Sequence, residues 1–224
     1  GIDPANLGKG DWIYFMSAAT NRLGGNISSV TNEHSLMRWY TNAGVRYIII
    51  KAATSDQLFK GSYAFQQFTS NLVNIAHAHG ILIFGYNRSY GANIQAEIAI
   101  SDYVFNQGAD GFVWDAESEW ESGHSYITNA SAQAWWLCGT VRTNWPNKFL
   151  AHAPFPIITY HSSFPYKEFG YYCDAVMPQD YWIEFGETPS AVVTKMSTAW
   201  RNWQNGLSGQ WVNSIKPIVP AGQG

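Results

Sequence analysis

Short apolar runs alternate along the chain with stretches whose apolar residues recur every three or four positions. Residues 11–17, Asp-Trp-Ile-Tyr-Phe-Met-Ser, read as a first strand, followed by a polar, Gly-rich loop through Gly24, Gly25 and Asn26. Asn32 suits the N-cap of a helix with Leu36, Trp39, Tyr40 and Ala43 on one face, closed by Gly44. Residues 45–53 predict a second strand, β-branched and apolar on both faces, as a parallel sheet covered by helices requires. The unit then recurs. Phe65, Phe68, Leu72 and Ile75 mark a helical stripe ended by Gly80, and residues 81–86 a third strand. Ile94, Ile98 and Phe105 mark the next helix, closed by Gly108, before a fourth strand at 111–117. A helix over about 130–143, through Trp135 and Trp136, leads to a fifth strand at 149–153. A short helix near Lys167 leads to a sixth strand at 175–179. Thr188 and Pro189 fit the N-cap and first turn of a helix with Val192, Met196, Ala199 and Trp203 on its buried stripe. Residues 216–220 are a seventh strand.

Seven strand–helix units in series predict an α/β fold of the TIM type, a (β/α)8 barrel. The chain reads as a single domain over residues 1–224, with seven units visible, the eighth missing and a truncated C-terminal end. A doubly wound sheet would place a Gly-rich phosphate loop after its first strand, and Gly24-Gly25 lacks the GxGxxG spacing. Ile49, Ile83, Val113 and Met177 are expected in the barrel interior.

Composition narrows the function. The net charge of -3, with charged residues at 13%, lacks the basic footprint of a nucleic-acid binder. No apolar run approaches the length of a membrane span. Aromatic residues reach 16%, with 11 Trp, 13 Tyr and 12 Phe. Trp and Tyr faces stack on the C–H faces of sugars, or they fill a core; composition leaves both open. Cys138 and Cys173 fit free, buried thiols better than a bridge in a domain of this size. Asn-x-Ser triplets at Asn26, Asn87 and Asn129 are a weak sign of secretion. His77 and His79, two apart on a helix, do not share a face, and no metal-ligand, redox or nucleophile-elbow spacing appears. No cofactor or metal is expected.

Barrel chemistry sits at the carboxyl ends of the strands. The fourth strand brings Asp115 and Glu117 there. Residues two apart share a face, so Val113, Asp115 and Glu117 point one way and Phe112, Trp114 and Ala116 the other. Two inward carboxylates at an apolar mouth drive their pKa values apart, one becoming an acid and one a base, which glycosidic cleavage needs. Position nearer the opening favours Glu117 as the group that keeps its proton. The plainer reading is a strand end that caps the next helix or faces solvent. Glu119 and Glu121 are expected to be solvated. Lys51, Tyr86, His152, Gln179, Tyr181 and Gln223 each fall near the end of a strand, and Gln179-Asp180-Tyr181-Trp182 combines an amide, a carboxylate and aromatics suited to sugars. Lys51 reads equally as an ion-pair partner, and His152 as a hydrogen-bonded structural histidine.

Residues 110–117, Asp-Gly-Phe-Val-Trp-Asp-Ala-Glu, resemble the D-G-x-D-x-D-x-E signature of family eighteen glycoside hydrolases, with Val113 where that signature has its second Asp. The resemblance implies that Glu117 protonates the glycosidic oxygen and that Asp115 orients a substrate N-acetyl group. Residues 177–182, Met-Pro-Gln-Asp-Tyr-Trp, are loosely similar to that family's Met-x-Tyr-Asp segment. Residues 48–54, the Asp115-Ala116-Glu117 triplet and the opening Gly1-Ile2-Asp3 also resemble family twenty-five muramidases. Together these resemblances imply a glycoside hydrolase acting on a polysaccharide or oligosaccharide. Glu117 is the acid/base, Asp115 its partner, and Lys51, Tyr86, His152, Gln179, Asp180, Tyr181 and Trp182 bind substrate. A secreted or extracellular monomer, with no nucleic-acid or membrane partner, is expected. Val113 motivates an alternative, a non-catalytic sugar-binding barrel. A third reading is a structural domain whose aromatics are all core.

Overall fold

The structure is a computed structural model that describes residues 1–21, 30–61, 65–124 and 126–222, without the side chains of Val30, Thr31 and Trp182. The predicted loop through Gly24–Asn26 and the candidate Gln223 lie outside the described residues. Strands and helices alternate as expected: β1 Lys9–Ile13, α1 Met16–Asn21, α2 Val30–Asn42, β2 Val45–Thr54 and a short β3 Gln57–Leu58. Then follow α3 Ser70–Ala78, β4 Leu82–Ser89, α4 Ile94–Asn106, β5 Gly111–Ala116, α5 Ala130–Asn144 and β6 Phe149–His152. The chain continues through α6 Tyr166–Tyr172, β7 Ala175–Val176, β8 Gln179–Asp180, α7 Trp182–Phe185, α8 Pro189–Asn205 and β9 Ala221–Gly222.

The sheet runs β1-β2-β4-β5-β6-β7 in chain order with every neighbour parallel, while β3 folds back antiparallel on β2. A parallel bridge from Val176 to Ile218 and the parallel β8–β9 pair add a seventh strand position. Sequential order without a reversal is the curling topology of a TIM-type barrel, not of a doubly wound sheet. Among the described residues, no pairing joins β1 to β9.

Alternation along the strands divides the core in two. Tyr47, Ile49, Phe84, Val113, Phe149, Ala151 and Met177 pack together inside the curl, where Tyr47–Phe84 and Phe84–Phe149 stack at 5.6 and 5.0 Å. Ile48, Ile50, Ile83, Phe112, Trp114 and Leu150 face the helices. Ile83 is therefore corrected from the interior to the helix side, and Phe84 takes the interior place. Two aspartates set the register at the strands' amino ends. Asp110 Oδ2 accepts from Ile83 N at 2.8 Å, and Asp174 Oδ2 from Leu150 N at 2.9 Å.

Local corrections have simple causes. Residues 14–17 leave the first strand, because β1 ends at Ile13 and Met16 opens α1. Asn32 lies within α2 rather than at its cap. Trp39, Ala43, Phe65, Trp136 and Ala199 are exposed; Met37 and Trp200 fill the inward positions of α2 and α8 instead. Ala43 lies past the end of α2 and Phe65 ahead of α3, and the other three stay exposed because helical spacing alone does not fix which edge of the stripe meets the sheet. Thr188 does cap α8, its Oγ1 accepting from Ala191 N at 3.3 Å. Cys138 and Cys173 are free and buried. Among the described residues, no helix is long and apolar enough to cross a membrane.

Helix α4 rests closely on the sheet at Gly85, where a Cβ would lie 2.6 Å from Val104 Cγ1 and 3.3 Å from Ala52 Cβ. Gly85→Ala should therefore destabilise the protein by roughly 1–3 kcal/mol through overpacking, read as a lower denaturation midpoint. Gly85→Ala combined with Val104→Ala should recover part of the loss.

Candidate active site

The carboxyl ends of the strands open into a cavity of about 690 Å³, and the inward alternation of each strand explains what lines it. On β5 the column Val113, Asp115 continues to Glu117. On β4 the column Phe84, Tyr86 continues to Arg88 and Tyr90. On β2 the column Tyr47, Ile49 ends in Lys51. Trp12 and Tyr14 come from β1 and its exit, and Gln179 and Tyr181 from β8 and beyond. A register shift between Lys51 and Ala53 against β4 inserts one extra residue into β2. This bulge leaves Ala52 and Ala53 both on the helix side and returns Thr54 to the cavity.

Asp115 and Glu117 meet as the alternation requires. The two carboxyl groups hydrogen-bond each other. Gln179 Nε2 donates to Asp115 Oδ1 at 2.9 Å, to Glu117 Oε1 at 3.1 Å and to Ala153 O at 2.7 Å. Arg88 lies on the other flank, with Nη2 3.2 Å from Glu117 Oε2 and 2.9 Å from Glu119 Oε1, and Nε 4.0 Å from Asp115 Oδ2. Its guanidinium sits 5.6 Å over the Tyr90 ring. Burial, then the hydrogen bond to Glu117 and its charge, push the Asp115 carboxyl well above the ordinary range. Burial acts the same way on Glu117, but the hydrogen bond from Asp115 and the Arg88 charge outweigh it and hold Glu117 below its ordinary value. The resting proton therefore sits on Asp115, reversing the expectation for Glu117. The physical reason is depth: the Asp115 side chain is 16% exposed and that of Glu117 35%.

Glu119 and Glu121 are not solvated as expected. Glu119 folds back onto Arg88, and Glu121 pairs with His161 Nδ1 at 2.7 Å. Tyr86 is buried and lines the cavity, with Trp12 tilted against it at 5.1 Å, and burial raises its phenol. Tyr181 is half-buried at the cavity wall, and burial pushes its phenol up to about 12. Lys51 reaches the cavity, though not as an ion-pair partner: its Nζ lies 3.9 Å from the Tyr14 ring centroid and 4.7 Å from that of Phe59.

Two predicted binding residues belong elsewhere. His152 alternates with Ala151 and Ala153, so it points to the helix side, where it stacks on Phe169 at 5.4 Å. Burial lowers its pKa to about 3, and neither ring nitrogen has a hydrogen-bond partner among the described residues. Asp180 follows Gln179 and takes the opposite face; it is fully buried, and both carboxylate oxygens lack partners among the described residues. Trp120, three residues past Glu117, is buried and donates its Nε1–H to Ser89 O at 3.2 Å. Trp182 opens α7, and its side chain lies outside the described atoms. Sequence reasoning missed Arg88, Tyr90, Trp12 and Tyr14. The two-residue step applied to Asp115 and Glu117 finds them when continued from Tyr86 and along β1. Among the described residues, no three His, Cys, Asp or Glu side chains gather so as to hold a metal ion.

No protein-family model and no curated protein matches the chain. Solved structures share its fold at low identity. A GH18 chitinase from Pseudoalteromonas aurantia matches with a TM-score of 0.56 and 14% identity, over 94% of this chain and 78% of that one. Amy13B of Eubacterium rectale matches with a TM-score of 0.53 and 10% identity, over 96% of this chain and 57% of that one.

Two predictions test the reassigned residues. Burial raises the Asp180 pKa from 3.8 to about 7, so the folded state holds a proton that the unfolded chain releases. The associated stability is complete below about pH 4 and is lost as pH rises through about 7. Asp180→Asn should gain stability relative to the parent over that window, on the order of a few kcal/mol by its end, in denaturant titrations at several pH values. His152→Phe, which keeps the stacking and removes two unpartnered nitrogens, should leave stability within about 1.5 kcal/mol in the same titrations.

Proposed function

We propose that the chain is a glycoside hydrolase acting on a polysaccharide or oligosaccharide, with Glu117 as acid/base and Asp115 as its partner. The observation that carries this reading is the hydrogen-bonded Asp115–Glu117 pair, clamped by Gln179, in an aromatic-walled cavity at the carboxyl ends of the strands. Carboxyls in contact leave no room for a water between them, which argues against an inverting acid/base pair. The pair suits a reaction in which the substrate's own acyl oxygen attacks, Asp115 orients it, and Glu117 protonates the leaving oxygen. The Asp115–Glu117 hydrogen bond supplies the proton's route: Asp115 holds it at rest, and Glu117 takes it when Asp115 turns to the substrate. Water then completes the cleavage, with Glu117 removing a proton from it. Trp12, Tyr86, Tyr90 and Tyr181 offer faces and hydroxyls to the sugar rings. A secreted or extracellular enzyme fits such a substrate.

A second reading is a non-catalytic sugar-binding barrel. The close Arg88–Glu117 contact favours it, because a guanidinium at 3.2 Å keeps Glu117 ionised and a poor acid until substrate disturbs the pair. Release of reducing ends from a polysaccharide panel separates the two. For a hydrolase, Glu117→Gln should lower kcat by about 10²–10⁴-fold with little change in sugar affinity, the latter read by tryptophan fluorescence. Sugar binding by the parent without turnover would favour the binding protein. Turnover that survives Glu117→Gln would end the assignment of the acid.

A further inference from the structure

Lys51 ends the inward column of β2 and is 3% exposed, with its ammonium in the cavity wall. Burying an ammonium is expensive unless it is paired. Here it is not paired: among the described residues its Nζ has neither a hydrogen-bond acceptor nor a carboxylate within 4.0 Å, only the Tyr14 and Phe59 rings. The ring faces lessen the desolvation cost without neutralising the charge. Arg88, two residues beyond Lys51's partner Tyr86 on the neighbouring strand, differs in being already engaged by Glu117 and Glu119.

The surroundings hold Lys51 in place. Buried Gln67 donates to Lys51 O at 2.8 Å and to Tyr14 O at 2.9 Å, while its Oε1 accepts from Met16 N at 3.1 Å. The β2–β3 turn brings Phe59 back over the strand, where its N donates to Ala52 O at 2.9 Å. Tyr14, Phe59 and Lys51 are thus fixed relative to one another before any ligand arrives. Lys51 pairs with Tyr86, and Tyr86 with Val113, so the lysine stands two strands from the acid pair's column, roughly 10 Å at strand spacing. That separation keeps the charge away from the bond to be broken.

We propose that Lys51 recognises a carboxylate on the sugar, so that the substrate class is an acidic saccharide bearing a uronic acid. This rests on the carbohydrate-active reading above. The ammonium donates to the bound carboxylate and gains a counter-charge that no described residue supplies. Tyr14, 51% exposed, offers its ring to the same or the adjacent sugar.

The test is equilibrium binding, not turnover, so its failure is distinguishable from failure of the hydrolase assignment, which reducing-end release reports. Trisaccharides in which a glucuronate or a galacturonate adjoins an N-acylated hexosamine, each with its methyl ester as neutral match, are titrated at pH 7 by tryptophan fluorescence into the parent, Lys51→Met and Lys51→Arg. At least one acid should bind the parent about tenfold or more tightly than its ester, as a charge-assisted contact in a buried site implies. Lys51→Met should lose that preference while keeping the ester affinity, and Lys51→Arg should retain part of it. Circular dichroism checks that each variant folds. If Lys51→Met does not fold, Lys51→Arg and the parent still decide, because an acid preference must appear in both. Equal binding of acid and ester, no binding of any acid, or a preference that survives Lys51→Met would overturn the proposal.

Discussion

Asp115, Glu117 and Glu119 come from one strand end and crowd into the mouth of an apolar barrel, and among the described residues Arg88 is the cation that pairs with them. Three carboxylates cannot all stay ionised against one guanidinium in such surroundings. One proton must remain, and it remains on the deepest group, Asp115. The rest of the site follows from that constraint. Gln179 has to present an amide to both carboxyls, which places β8 beside the end of β5's column. Aromatic rings of Trp12, Tyr14, Tyr86 and Tyr181 wall the same cavity.

The same alternation that builds the site made much of it readable. The run 111–117 is apolar enough to be a buried strand and carries its acids two apart, so their shared face follows from geometry alone. Sequential strands with helical stripes between them fixed the topology. The errors arose where parity or register depends on contacts rather than on pattern. His152 and Asp180 each lie one residue from a cavity-facing or interior neighbour, and nothing in a run of four to six residues marks which face turns inward. Strand six is split at Pro178, which obscures its phase. The bulge after Lys51 that returns Thr54 to the cavity leaves no composition signal. Glu119 and Glu121 looked solvated because their partners, Arg88 and His161, are distant in sequence.

The cavity has two electrostatic halves. Near β4, β5 and β8, Arg88 faces the carboxyls of Asp115, Glu117 and Glu119, and Asp115 keeps its proton. Near β1 and β2, Lys51 lies between aromatic faces without a counter-ion among the described residues. A hydrolase gains from such a division, since a group that fixes the substrate at one end does not disturb the acid at the other. The chain spans 78% and 57% of the two neighbours with this fold, and the likeness speaks for the scaffold alone.

The central claim is the ownership of the resting proton. Carbon-13 NMR of the side-chain carboxyls, assigned through Asp115→Asn and Glu117→Gln, reads it directly across a pH titration. The account predicts that the Asp115 carboxyl stays protonated far above the ordinary aspartate range, while the Glu117 carboxyl is ionised at lower pH than an ordinary glutamate. Two unshifted titrations, or the high one belonging to Glu117, would contradict it.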